Sequence, residues 1–183
     1  MSRYVKVLFG NKSDAGDGFR YDIGKVNVSD TWNPSEARGK DCGGFNFTLP
    51  QYILRWLHRG DTLYDVTVPE DAELVRYDFD TPFFRANKII VSDPVPIDDN
   101  FALKLYGESD LTDRMYYRSL AIVSMMGYEK TAECILHDWV NADNIEDVMA
   151  EWNAFIYHDG TMTRFKANPL VREINRQLVK IWL

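Results

Sequence analysis

Acid–base, thiol and metal chemistry in this chain would have to come from three histidines (His58, His137, His158), two cysteines (Cys42, Cys134) and 28 carboxylates. A zinc site needs several converging nitrogen or sulfur ligands, usually in short local pairs. The nearest pair is Cys134 and His137, three residues apart, and no second pair accompanies it. No metal site is expected. Either thiol is a conceivable nucleophile, but a small buried hydrophobe is the favoured reading, because free cysteine is among the most buried residue types. Two distant cysteines make no disulfide framework, which fits a reducing compartment. His58 follows Trp56-Leu57 and reads as a residue at a helix C-terminus. The chain lacks Gly-x-Ser-x-Gly and the phosphate-binding Gly-x-x-x-x-Gly-Lys-Ser/Thr, and Gly16-Asp17-Gly18 is no dinucleotide fingerprint. An acid–base pair of carboxylates is defined by separation in space, which spacing along the chain does not give. Asp98 and Asp99 stand where a helix begins and suit its dipole. The motifs therefore assign no catalytic residue and no cofactor.

Binding residues are easier to nominate. Arg55, Arg59, Arg85 and Lys88 would form a small positive site if they converged, although ordinary surface charge is the favoured reading. Of the five tryptophans, Trp56, Trp139, Trp152 and Trp182 lie in helical patterns and read as core. Trp32 stands in a polar stretch beside Asn33-Pro34 and is the candidate exposed contact residue.

The elements that must position these residues change character along the chain. Tyr4–Leu8 alternates like a strand. Asn11–Gly18 is a polar loop, Phe19–Ile23 a short strand, and 29–41 an excursion without periodicity. Gly43–Thr48 is a strand carrying Phe45 and Phe47 on one face. Thr48 and Gln51 have capping-box spacing, Pro50 fits a first turn, and Tyr52, Ile53, Trp56 and Leu57 form one helical stripe before Gly60. Leu63–Val68, Ala72–Tyr77 and Ala86–Val91 read as strands. Ser92-Asp93-Pro94-Val95-Pro96 reads as a linker. Helices are expected over 100–106, 113–126, 129–140, 144–157 and 169–183, with a turn at His158-Asp159-Gly160. The predicted fold is α+β: residues 1–94 form a small mixed or antiparallel sheet with one capping helix, and residues 95–183 an all-helical part packed on it.

Charge follows the same division. The chain of 183 residues carries a net −7, of which residues 1–92 contribute 12 basic and 13 acidic groups and residues 93–183 contribute 9 and 15. A pI near 5.0 argues against a nucleic-acid partner. No apolar run approaches the ~18 residues of a membrane span, and the first residues, MSRYVKVLFGNKSD, lack an apolar stretch suited to a secretory signal. No membrane association is expected. The 14% aromatic content is that of a chain with a real core.

Two resemblances add to this reading. GFRYDIGKVNV (18–28), CGGFNFTLPQYI (42–53), RGDTLYDVTVP (59–69) and RANKIIVSDP (85–94) resemble, in order, the N-terminal domain of giant-virus ankyrin-repeat proteins. SLAIVSMMGYEKTAECILHDWV (119–140) is similar to the helix–turn–helix of one ankyrin repeat, with Gly127-Tyr128 at the turn; its Thr-Pro-Leu-His opening is missing. One or two degenerate repeats fit, short of the three that a solenoid core requires. The resemblance implies a non-enzymatic protein-interaction module binding a host or viral protein in the host cytoplasm, viral factory or virion. A virion or assembly component, in the form of a homodimer, is an alternative. A weaker likeness to ADP-ribosyltransferase-like domains implies an NAD-binding protein, or an enzyme with a degenerate site, whose pocket involves Tyr4, Phe45, Thr48 and Tyr52; the first strand lacks that family's histidine, and Arg3 lies only at its edge.

Overall fold

The computed structural model describes residues 3–14, 18–36, 42–158 and 166–183. Among these, the chain is α+β, with antiparallel strands first and helices after. It divides into two compact units. One comprises Met1–Ile53 and Arg59–Ile97, the other Leu54–His58 and Asp98–Leu183. No described helix is long and apolar enough to cross a membrane.

Among the described residues the first unit holds seven strands, β1 (Tyr4–Leu8), β2 (Val26–Val28), β3 (Phe45–Phe47), β4 (Thr62–Thr67), β5 (Leu74–Asp78), β6 (Pro82–Ala86) and β7 (Lys88–Pro96). They form a four-stranded sheet in the order β1-β4-β7-β2 and a three-stranded sheet in the order β3-β6-β5. All pairings are antiparallel. Period-two alternation explains the core between them. Tyr64, Val66, Ile89 and Val91 from the first sheet join Phe45, Phe47, Phe84 and Ala86 from the second. The chain passes between the sheets at Asn87, so the expected strand 86–91 is in fact the end of one strand and the start of another. Asn87 fixes this crossing: its N–H donates to the Glu73 carbonyl (3.2 Å) and its Oδ1 accepts from the Glu73 N–H (2.9 Å).

Three expectations need correction. The stretch 92–96 is not a linker but the end of β7. Opposite Tyr64, β7 carries two residues, Asp93 and Pro94, and this bulge has Asp93 at φ 51°. Aspartate tolerates the left-handed region, and a bulge excuses Pro94 from donating. Phe19–Ile23 makes only a bridge from Arg20 to Lys12, while the short strand forms at 26–28. The buried Asn27 is why: its amide donates to the Asp22 and Lys25 carbonyls and its Oδ1 accepts from the Asp22 N–H. Finally, the expected capping box does not form. Thr48 exchanges backbone hydrogen bonds with Val5 (2.8 and 3.0 Å), and its Oγ1 donates to the Pro82 carbonyl. Freed of that cap, Pro50–Arg59 is a 3₁₀ helix. Its tighter three-residue period brings Leu54 in line with Leu57, both fully buried.

The second unit contains α1 (Asp99–Gly107), α2 (Asp113–Met126), α3 (Glu129–Trp139), α4 (Ile145–Asn153) and α5 (Pro169–Trp182); a π-helical turn, Ala154–His158, extends α4. Asp159 and Gly160 of the expected turn lie outside the described residues, as do 15–17 and 37–41 of the two loops. Apolar residues at helical spacing fill the core: Met115 and Ile122 of α2, Ile135 of α3, Trp152 of α4, Ile174 and Leu178 of α5. Gly127 ends α2 at φ 79°. Its N–H reaches the Ser124 carbonyl and that of Tyr128 the Val123 carbonyl, a Schellman arrangement.

Polar ties between helices complete this unit. Glu151 of α4 bonds Arg114 and Arg118 of α2. Tyr106 donates to Asp138 (2.7 Å) and accepts from Trp139 Nε1 (3.0 Å), while Trp139 stacks on Tyr116 at 4.0 Å. Desolvation, then the hydrogen bond to Asp138, pushes the Tyr106 phenol well above its ordinary pKa. The two aspartates at the start of α1 divide their work. Asp98 caps α1 through the Phe101 N–H (2.8 Å), whereas Asp99 caps α3, accepting from the N–H groups of Lys130 (2.9 Å) and Thr131 (3.1 Å) and from Thr131 Oγ1. Asp99→Ala should therefore cost about 1–2 kcal/mol, the upper range for an N-cap, in urea unfolding followed by far-ultraviolet circular dichroism. Asp99→Asn should recover most of the loss.

Candidate functional site

The outer face of the three-stranded sheet brings together two residues that the sequence nominates separately. In the β6 register Phe84 and Ala86 face the core, so Phe83 and Arg85 face outward. Val75 and Tyr77 of β5 stand opposite Arg85 and Phe83 respectively. Tyr77 lies 5.1 Å from Phe83, and Phe79 completes the stack at 5.8 Å from Phe83 and 6.5 Å from Tyr77. Phe79 is 46% exposed, a large apolar surface to leave in water.

Arg85 underlies this face and is wholly buried. It corrects the expectation of a surface charge. Its guanidinium carbon sits 5.4 Å from the Trp32 ring and 5.1 Å from the Tyr77 ring, within cation–π range of both. Nη2 donates to the carbonyls of Asn33 (2.8 Å) and Glu36 and to the Tyr77 hydroxyl (2.7 Å). That hydroxyl in turn donates to the Pro34 carbonyl at 3.0 Å. The cation thus fastens the loop 33–36 onto the sheet through backbone oxygens and aromatic faces. No described carboxylate lies within ion-pair distance of it.

Trp32 is also corrected. It is half-buried rather than an exposed contact residue. Its Nε1 donates to Glu73 (2.8 Å), and its ring lies on the backbone of Gly44, where a Cβ would come within 2.7 Å of it. Gly44, at φ 71°, admits the indole because it has no side chain. Trp32 is thus one wall of the arginine's enclosure.

The other nominated residues do not join this site. Arg55 lies over its neighbour Trp56 at 4.5 Å, and Arg59 pairs with Asp14 at 3.5 Å. Lys88 pairs with Asp71 at 2.5 Å. His58 lies in the last turn of the 3₁₀ helix, as expected, and is buried, edge-on to Phe155 at 5.3 Å. Of the residues named for a relic NAD pocket, Phe45 and Thr48 are 4% and 2% exposed, so neither offers a ligand a surface. Phe45 packs on Phe19 and Tyr21, while Tyr4 packs on Phe47 and Phe84 and Tyr52 is half-buried. Among the described residues no group of three or more His, Cys, Asp or Glu could hold a metal ion.

Tyr77, Phe79 and Phe83 were not nominated from sequence. The signal was present as two alternating pairs, Tyr77-x-Phe79 and Phe83-x-Arg85, on either side of Asp80-Thr81. Period two on both arms of a turn identifies one face of a hairpin. Lys6 was also missed. Half-buried on β1, it donates to the Asn46 carbonyl (2.6 Å) and lies 5.5 Å from the Tyr21 ring. Burial, then the neighbouring Arg59 cation, lowers its pKa to about 8.

No family model matches this chain, and no curated protein or solved structure matches it either.

Two measurements check this geometry. Arg85→Ala removes the clamp and opens a cavity, so a loss of about 3 kcal/mol or more is expected in chemical denaturation. The 33–36 loop should become sensitive to limited proteolysis in the same variant. For Lys6, the folded state releases its proton near pH 8 and the unfolded chain near 10.5. The unfolded state then binds more protons between those values, so this group's unfavourable contribution is largest below pH 8 and relieved as pH rises towards 10.5. The melting temperature of the wild-type chain should therefore rise relative to that of Lys6→Met across this interval.

Proposed function

We propose that this chain is a protein-interaction module and that the β5–β6 hairpin presents its contact surface. The observation that carries the reading is the Phe79-Phe83-Tyr77 stack held over a buried arginine. Aromatic side chains bury much area for little loss of rotamer freedom, and such residues dominate binding hot spots. A stack already ordered by Arg85 loses less entropy on association than a mobile one.

The resemblance to giant-virus ankyrin-repeat proteins supports the same reading and suggests a host or viral protein as the partner. In that view the α2–α3 hairpin is a degenerate ankyrin-like element, and the chain acts in the infected cell. The acidic second half suits a partner with a basic surface by steering encounter. Burial of Phe45 and Thr48 in the core favours this reading over the NAD-binding alternative.

Phe79→Ser is the direct test, because it changes exposed surface without removing any residue that bonds Arg85. Affinity capture from host lysate with the wild-type chain and the variant, compared by quantitative mass spectrometry, should show a partner lost on substitution. A truncated hot-spot aromatic typically costs about 2 kcal/mol or more, roughly thirtyfold in affinity. Identical recoveries from both chains would overturn the assignment of this face.

A further inference from the structure

The same hairpin has a second feature, the outer edge of β5. In the order β3-β6-β5 this strand pairs on one side only among the described residues. The Asn87-to-Glu73 backbone bond sets the phase of the β5–β6 ladder. Glu73, Val75 and Tyr77 turn their backbone groups towards β6, so Leu74, Arg76 and Asp78 turn theirs to the open edge. Natural proteins usually block such an edge with charge. Here the charges are Arg76 and Asp78, of opposite sign and two residues apart, with side chains 57% and 63% exposed.

We propose that this edge pairs antiparallel with the same edge of a second copy, across a twofold axis at Tyr77. Register decides the matter. An axis through Arg76 sets two arginines opposite each other, and an axis through Asp78 sets two carboxylates opposite each other. Like charges directly opposite are destabilising. An axis through Tyr77 places each Arg76 opposite Asp78 of the second copy, twice by symmetry. In this register the outward-turned backbone groups of Arg76 and Asp78 meet as hydrogen-bonded pairs, while the two Tyr77 residues form the closer, non-hydrogen-bonded pair. Arg76 now bonds Asp78 within its own strand, Nε at 2.8 Å and Nη2 at 2.7 Å. Pairing exchanges that contact for its equivalent across the axis. Phe79 of one copy then lies opposite Val75 of the other, which shields part of its exposed ring and extends the aromatic face across both copies.

The inference rests on the hairpin being an interaction surface, and charge reversal tests it separately. Sedimentation equilibrium of the full chain at low salt should show a monomer–dimer equilibrium that weakens with added salt. Arg76→Asp and Asp78→Arg should each weaken it by about tenfold or more, since each sets like charges opposite in both symmetric contacts. An equimolar mixture of the two variants restores complementarity and should form a heterodimer; the double reversal in one chain should form a homodimer again. Amide exchange at Arg76 and Asp78 should slow as concentration rises in the wild-type chain alone. Near-ultraviolet circular dichroism confirms that each variant is folded. A monomer up to ~1 mM, where even a millimolar dimer is populated, overturns the pairing. So does a dimer indifferent to both reversals. Partner capture by the Arg76→Asp variant separates the two readings. Capture retained by this variant shows that the partner face does not need the dimer; a wild-type chain that captures its partner yet never dimerises overturns the pairing alone, and a normal dimer with no Phe79-dependent partner overturns only the partner reading.

Discussion

A buried guanidinium is costly unless its donors and charge are met. Arg85 meets only part of this demand, with three oxygens around Nη2 and two aromatic rings within cation–π range, while its buried Nε and Nη1 have no hydrogen-bond partner among the described residues. The partners it does have come from Trp32, Asn33 and Glu36, far away in sequence, and from Tyr77 across the hairpin, so the contacts of one side chain fix a loop, two strands and their register together. The constraint continues outward. Trp32 reaches its place only over Gly44, and its indole N–H is taken by Glu73. Glu73 in turn holds Asn87, where the chain crosses between sheets. A single buried charge thus organises the outer layer of the three-stranded sheet.

The result is a hairpin with two kinds of exposed surface. Its face is aromatic and backed by a rigid cation. Its edge is polar, with charges that complement one another in one symmetric register. In the helical unit, polar ties serve a different end. Asp99 joins α1 to α3 and Glu151 joins α2 to α4, so hydrogen bonds there fix helix positions and leave the apolar stripes to supply the burial energy.

Much of the fold is legible in the chain. Helical spacing from Val148 to Ile156 and from Val171 to Ile181 announces α4 and α5, and Gly127 announces the end of α2, because periodicity and left-handed glycine are local properties. Two of the errors share one physical origin. Thr48 looks like a cap, but its backbone and hydroxyl find partners in Val5 and Pro82, 43 and 34 positions away in numbering. Pro94 looks like a linker residue, but a bulge opposite Tyr64 excuses its missing N–H. In each case a long-range hydrogen bond or pairing overrode a local preference of about 1 kcal/mol.

The site divides in the same way. The sequence by itself determined that Trp32 stands apart in a polar stretch, that Tyr77-x-Phe79 and Phe83-x-Arg85 alternate on either side of Asp80-Thr81, and that an α+β half precedes a helical one. Residue type and short-range periodicity carry that much. Only the tertiary structure decided that Trp32 and Arg85 meet, that the arginine is buried rather than exposed, and that Phe79 stays in water. These outcomes depend on which strands pair and in what register, and register is fixed by contacts between residues tens of positions apart.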